Sequence, residues 1–171
     1  AAPLVFFQMV DGALLNRSAD SGPIFQKHFR GRGLAAGDYI NDGRLDFLVG
    51  VNGAAPLLIK NNAGRANHWV GVKLKGTRAN RDGIGARIAW SAGGRQRSRL
   101  KTAGGSYLSS HDQRDILGLG PTPKCDWVEV QWPLPSNRRE RFEGLSAGPV
   151  YAVGRGSGAR GVTDRLRVAP W

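Results

Sequence analysis

Glycine punctuates this chain. Twenty-five of its 171 residues are Gly and nine are Pro, and they separate short apolar runs at 47–51, 57–60, 69–74, 115–119 and 127–132. Runs of that length suit strands, and the turn residues between them suit hairpins. The pattern predicts an all-β protein with no helix. Alternation is clearest at 69–74, where Trp69, Gly71 and Lys73 oppose Val70, Val72 and Leu74. Residues 86–91 and 97–102 flank Gly93-Gly94, a two-residue hairpin signal. Trp127 and Trp132 fall on opposite faces of one strand by parity, so at most one of them enters a core.

The densest polar feature is the stretch 37–50. Asp38, Asp42 and Asp46 recur at every fourth position, Gly43 sits where the loop must turn, and an apolar strand follows. A calcium ion takes about six to eight oxygen ligands, which carboxylates and carbonyls of a Gly-containing loop can supply. Asp38, Asp42 and Asp46 would give side-chain oxygens and Arg44 its backbone carbonyl. Calcium is therefore the cofactor this loop suggests. Ile40, at the third position of the loop, has no side-chain oxygen to give. The same residue types also build an ordinary polar turn.

The run Asp38-Tyr39-Ile40-Asn41-Asp42-Gly43-Arg44-Leu45-Asp46-Phe47-Leu48-Val49 resembles an FG-GAP (VCBS-type) repeat, the blade unit of integrin-like β-propellers. Val10-Asp11-Gly12-Ala13-Leu14 resembles the turn that precedes such a repeat. Downstream, the segments 67–74, 80–88 and 104–109, the later Leu117-Gly118-Leu119-Gly120 and 128–133 resemble the ASPIC/UnbV domain in order. That domain follows FG-GAP repeats in cartilage acidic protein and in many bacterial secreted proteins, including the UnbV proteins of enediyne gene clusters. The resemblance covers roughly residues 10–153. With the strand pattern it implies a propeller-type repeat of four short strands in 1–63 and a β-sandwich in 64–153. Residues 154–171 read as a basic, Gly/Arg-rich extension with little packing of its own.

The formal charge is +12, with basic patches at 95–101, 138–141 and 155–167. Such a charge attracts anionic polymers. In the first patch, however, charged and polar residues alternate as they do on the solvated face of a strand. No RNP-type aromatic motif, zinc-finger spacing or helix-turn-helix pattern is present, so no specific nucleic-acid motif is read.

Few residues invite chemistry. Asn80 and Asp82, beside Gly83 and Gly85, form either a binding loop or a structural turn in which Asp82 bonds the loop amides. His111 with Asp112 and Asp115 sets an imidazole near carboxylates, as acid–base work requires, but no nucleophile accompanies it. His28, His68 and His111 make no zinc-type pair. Cys125 reads as a buried thiol with no base beside it. Asn16-Arg17-Ser18 fits the glycosylation sequon, which matters only in a glycosylating route. No segment approaches the ~20 apolar residues of a membrane helix. The apolar first ten residues lack a basic n-region; their Ala-Ala-Pro start suits a cleaved leader or a cut in a longer chain.

A single blade cannot close a propeller, because blades bury their faces against neighbouring blades. The chain therefore reads as the C-terminal part of a larger propeller protein or assembly. The function expected is a non-enzymatic interaction or assembly module, secreted, periplasmic or at the cell surface, with a protein partner or its own oligomer. Two other classes stay open. The UnbV resemblance implies an enzyme or accessory protein of a biosynthetic pathway, and the charge implies an electrostatic binder of anionic polymers.

Overall fold

β8 (His68–Lys75) is the strand around which the larger part of the molecule is built. The computed structural model describes residues 1–63, 66–77, 80–154 and 159–162, the last four by backbone alone. Val70, Val72 and Leu74 of β8 point inward and are almost fully buried, as the alternation predicts. The remaining strands of this part are β9 (Arg87–Ala92), β10 (Arg95–Leu100), β11 (Gly105–Ser106), β12 (Ser109–Ser110), β13 (Asp115–Gly120), β14 (Trp127–Gln131), β15 (Arg139–Glu143), β16 (Val150–Gly154) and β17 (Ala159–Val162). They form two four-stranded sheets, in the orders β10-β9-β14-β15 and β13-β8-β16-β17, and a small β11–β12 hairpin.

The two sheets share one apolar core. β8 and β13 supply Val70, Val72, Leu117 and Leu119; β9 and β14 supply Ile88, Trp90, Val128 and Val130. Each fully buried aliphatic side chain contributes about 1.5–3 kcal/mol. Trp90 also ties one sheet to the other, its indole N–H donating to the Gly118 carbonyl at 3.0 Å. Trp132 is buried, while Trp127 lies on the outer face with the Arg141 guanidinium 4.3 Å above its ring. The β9–β10 turn is Gly93-Gly94, with φ of 56° and 74°, the left-handed pair that a two-residue hairpin favours. β8 and β16 run parallel, with Gly71 opposite Val150. The segment expected as an extension contributes β17, which pairs antiparallel with β16; residues 155–158 and 163–171 lie outside the described residues.

The first 63 residues hold seven strands: β1 (Ala2–Pro3), β2 (Phe7–Val10), β3 (Ala13–Asn16), β4 (His28–Phe29), β5 (Gly31–Gly37), β6 (Asp46–Val51) and β7 (Leu57–Ile59). Two short 3-10 turns, Ser18–Asp20 and Pro23–Gln26, separate β3 from β4. The strands do not join in one four-stranded sheet. β5, β6 and β7 form a three-stranded sheet, while β1–β4 and β2–β3 are separate pairs. The reason lies at the outer edge of β5. There the Ala36 carbonyl accepts the Asp112 N–H at 2.9 Å, and the Ala36 N–H donates to His111 Nδ1 at 3.1 Å. A segment from the second unit thus occupies the place of a fourth strand.

Burial is lopsided between the two units. Among residues 1–63 only Asp38, Asp46 and Val49 are buried, and two of those are carboxylates. Among the described residues no helix is long and apolar enough to cross a membrane.

Candidate functional site at the junction of the two units

The acidic loop between β5 and β6 is folded by its own carboxylates. Asn41 and Gly43 take left-handed conformations, with φ of 58° and 82°. That curls the backbone around Asp38, whose two oxygens accept the N–H groups of Asp42 at 2.9 Å and Gly43 at 2.8 Å. Asp46 at the start of β6 accepts the Tyr39 N–H at 3.2 Å with one oxygen and the Asn61 N–H at 2.8 Å with the other. A buried carboxylate is tolerated only when its oxygens are bonded in this way. Asp42 accepts the Arg44 N–H at 3.0 Å and pairs with the Arg44 guanidinium, whose Nε donates to the Asn61 carbonyl at 2.8 Å.

This arrangement does not fit the calcium reading. The three carboxylates hold separate partners, Asp42 already faces the cationic Arg44, and Ile40 turns an exposed side chain outward. Among the described residues no group of three or more His, Cys, Asp or Glu side chains is placed to hold a metal ion. Arg44 acts through its guanidinium.

Arg114 joins the loop to the second unit. Its side chain is buried, and its Nη2 donates to the Asp38 carbonyl at 2.8 Å, while Nη1 bonds the Asn41 amide oxygen. Nε donates to Asp112 at 2.8 Å, and the other Asp112 oxygen accepts the Arg114 N–H at 3.0 Å. Two glycines of β5 let this segment come close. A Cβ built at Gly33 would fall 2.5 Å from Ser109 Oγ, and one at Gly37 would fall 3.1 Å from the Asp112 Cβ. On the other side of the loop Gly43 receives the indole of Trp69. Beside that contact opens a cleft of about 710 Å³ between the units, lined among others by Phe6, Asp42, Arg44, Asn61, Trp69 and Gly118.

The other candidate residues divide between two places. Asn80 stitches its own loop, its side-chain oxygen accepting the N–H groups of Asp82 at 3.0 Å and Ile84 at 3.2 Å. The amide-bonding role expected of Asp82 thus belongs to Asn80, whose oxygen reaches further along the turn. His111 and Asp112 lie at the junction. The small cleft they line with Arg99, Lys101 and Asp115 includes neither Asn80 nor Asp82. In it Lys101, buried, sits 2.9 Å from Asp115 and donates to the Gln113 carbonyl at 2.6 Å. Sequence reading passed over Arg114, Lys101 and the Trp69–Gly43 contact, because nothing local marks a residue whose partner lies between 12 and 76 positions away.

Cys125 is buried, and its thiol donates to the Ser91 and Trp127 carbonyls, each at 3.3 Å. Burial pushes the thiol above its ordinary range, and the neighbouring Asp126 charge adds to the push. The thiolate that nucleophilic chemistry needs is thereby disfavoured. The basic patches are partly neutralised within the molecule. Arg99 faces Asp115 at 3.3 Å, Arg138 faces Glu140 at 3.3 Å and Arg141 faces Glu143 at 3.6 Å.

No curated protein matches the chain. The family model described as ASPIC and UnbV matches residues 76–160, from just after β8 into β17. Over residues 76–160, which hold the sheet β10-β9-β14-β15 and the partners of β8, the chain carries an ASPIC and UnbV domain.

Proposed function

We propose that the chain is a non-enzymatic interaction or assembly module working outside the cytoplasm. In this reading an FG-GAP-like, propeller-type unit is docked on an ASPIC/UnbV-type β-sandwich and carries the surface that meets a partner. The observation that supports it most is the distribution of apolar side chains. Val5, Phe7, Met9, Leu14, Leu48 and Leu58 of the N-terminal unit are all exposed and Val49 is its one buried apolar residue, whereas the second unit has a large apolar core and exposes Leu100, Tyr107, Leu108 and Leu134 outside it. Exposed apolar side chains on a unit with so little core of its own suit contact with another protein.

The polar residues support the same reading. Asp38, Asp46, Asp112 and Arg114 spend their bonding capacity on the backbone and on one another. His111 accepts a backbone N–H. Asp38 and Asp46 fold the loop within its own unit, and His111, Asp112 and Arg114 hold the second unit against it, which is a scaffold's use of such groups. The acidic loop on this account is a latch between the units, made rigid by its own hydrogen bonds.

Native mass spectrometry over a range of protein concentrations tests the proposal. The expected result is an oligomer, or a complex with a protein partner that Met9→Glu or Leu14→Glu disrupts while the melting temperature holds. A monomer at every concentration, together with partner capture untouched by those substitutions, would overturn it.

A further inference from the structure

We propose that the 710 Å³ cleft between the two units binds a neutral oligosaccharide, with Trp69 as the stacking platform. This rests on the docked arrangement of the units proposed above. The volume falls within the roughly 300–1,000 Å³ of small-molecule sites. Trp69, Phe6 and Phe47 line it together with Asp42, Arg44 and Asn61, so that aromatic and planar polar residues meet in one cleft. A pyranose needs both. Its C–H face packs on an aromatic ring, and its adjacent hydroxyls match carboxylate, guanidinium and amide groups two at a time.

The lining selects for this ligand class. Asp42 and Arg44 are paired with each other, so the pair offers no uncompensated charge to an ionic ligand. Trp69 is half-buried, and among the described residues its indole N–H has no partner. A purely apolar ligand would cover that donor without bonding it, at a cost of about 1–3 kcal/mol. A sugar hydroxyl would accept it. The floor is open as well. Gly118 is the cross-strand partner of Trp69 and shares its outward face. A Cβ built there meets nothing within 4 Å, and its backbone is not left-handed. The site can therefore be filled without disturbing the core behind it.

The test titrates the intact protein with maltotriose, cellotriose and chitotriose. It follows the Trp69 indole N–H signal by NMR and the heat of binding by calorimetry. The expected result is that at least one trisaccharide shifts that signal, that Trp69→Ala abolishes binding, and that Gly118→Leu weakens it at least tenfold, the ~1.4 kcal/mol that a tenfold change represents. If Trp69→Ala fails to fold, Gly118→Leu decides alone. Silence from all three sugars, wild-type binding by Gly118→Leu, or tighter binding of a polyuronate than of any neutral sugar would overturn the proposal. Undocking of the units is a separate failure. It shows as a second melting transition, whereas failure of the cleft shows in a protein that melts once.

Discussion

The indole of Trp69 occupies the space that a side chain at position 43 would need. A Cβ built on Gly43 falls 1.9 Å from Trp69 Cδ1 and 2.1 Å from Cγ and Nε1. Gly43 also has φ of 82°, so two independent constraints exclude other residues there. The acidic loop and the first strand of the larger unit thus meet ring against bare backbone.

Gly43→Ala should cost about 1–3 kcal/mol from overpacking and about 1–2 kcal/mol more from the left-handed backbone. Adding Trp69→Ala should relieve the first cost and leave the second. Urea denaturation of the four proteins in a double-mutant cycle reads the coupling. Additive costs would mean that the ring does not press on position 43.

Arg114 carries the other half of the junction. Arg114→Met strands Asp112, the Asp38 carbonyl and Asn41 together. Breaking one partner out of such a buried set costs about 3–5 kcal/mol. Calorimetry should show the N-terminal unit melting ahead of the two-sheet core. Arg114→Lys should not rescue, because an ammonium cannot present a fixed fork to three acceptors.

The loop carboxylates hold amides, so calcium should leave the protein unchanged. Melting temperature with added calcium and with a chelator is expected to coincide. Asp38→Asn removes one of the two acceptors and should cost about 1–3 kcal/mol with or without the ion. A rise of several degrees on adding calcium would show a loop that rearranges to take it.

Cys125 gives stability a dependence on alkaline pH. Its raised value in the folded state means that folding favours the neutral thiol. That contribution is fully present below the unfolded thiol's value and is lost as pH rises through the folded one. Stability should therefore fall on the alkaline side, and Cys125→Ala should flatten the fall. Alkylation at neutral pH should be slow in the native protein and fast after denaturation.

How much of this was legible follows from the range of each interaction. Gly93-Gly94 and the alternation of 69–74 are local signals, and the hairpin and β8 appear where they point. The opposite fates of Trp127 and Trp132 follow from parity, which needs no partner. Arg114 was hidden because it follows Asp112 and Gln113, which look like any polar loop. Its meaning comes only from Asp38 and Asn41 arriving from the other unit. The four-strand expectation failed for the same reason. Counting strands in 1–63 cannot reveal that His111 and Asp112 take the edge of β5.

The central place of β8 also sets an order of assembly. Its two partners, β13 and β16, arrive some 40 and 80 residues later, and the second of them pairs in parallel. Contacts so distant in sequence make folding slow. As the chain leaves the ribosome, β8 must wait with one edge unpaired until residue 154 has emerged. A chain stopped after β15 would keep nearly all of the buried side chains and still present an unpaired strand edge to its neighbours.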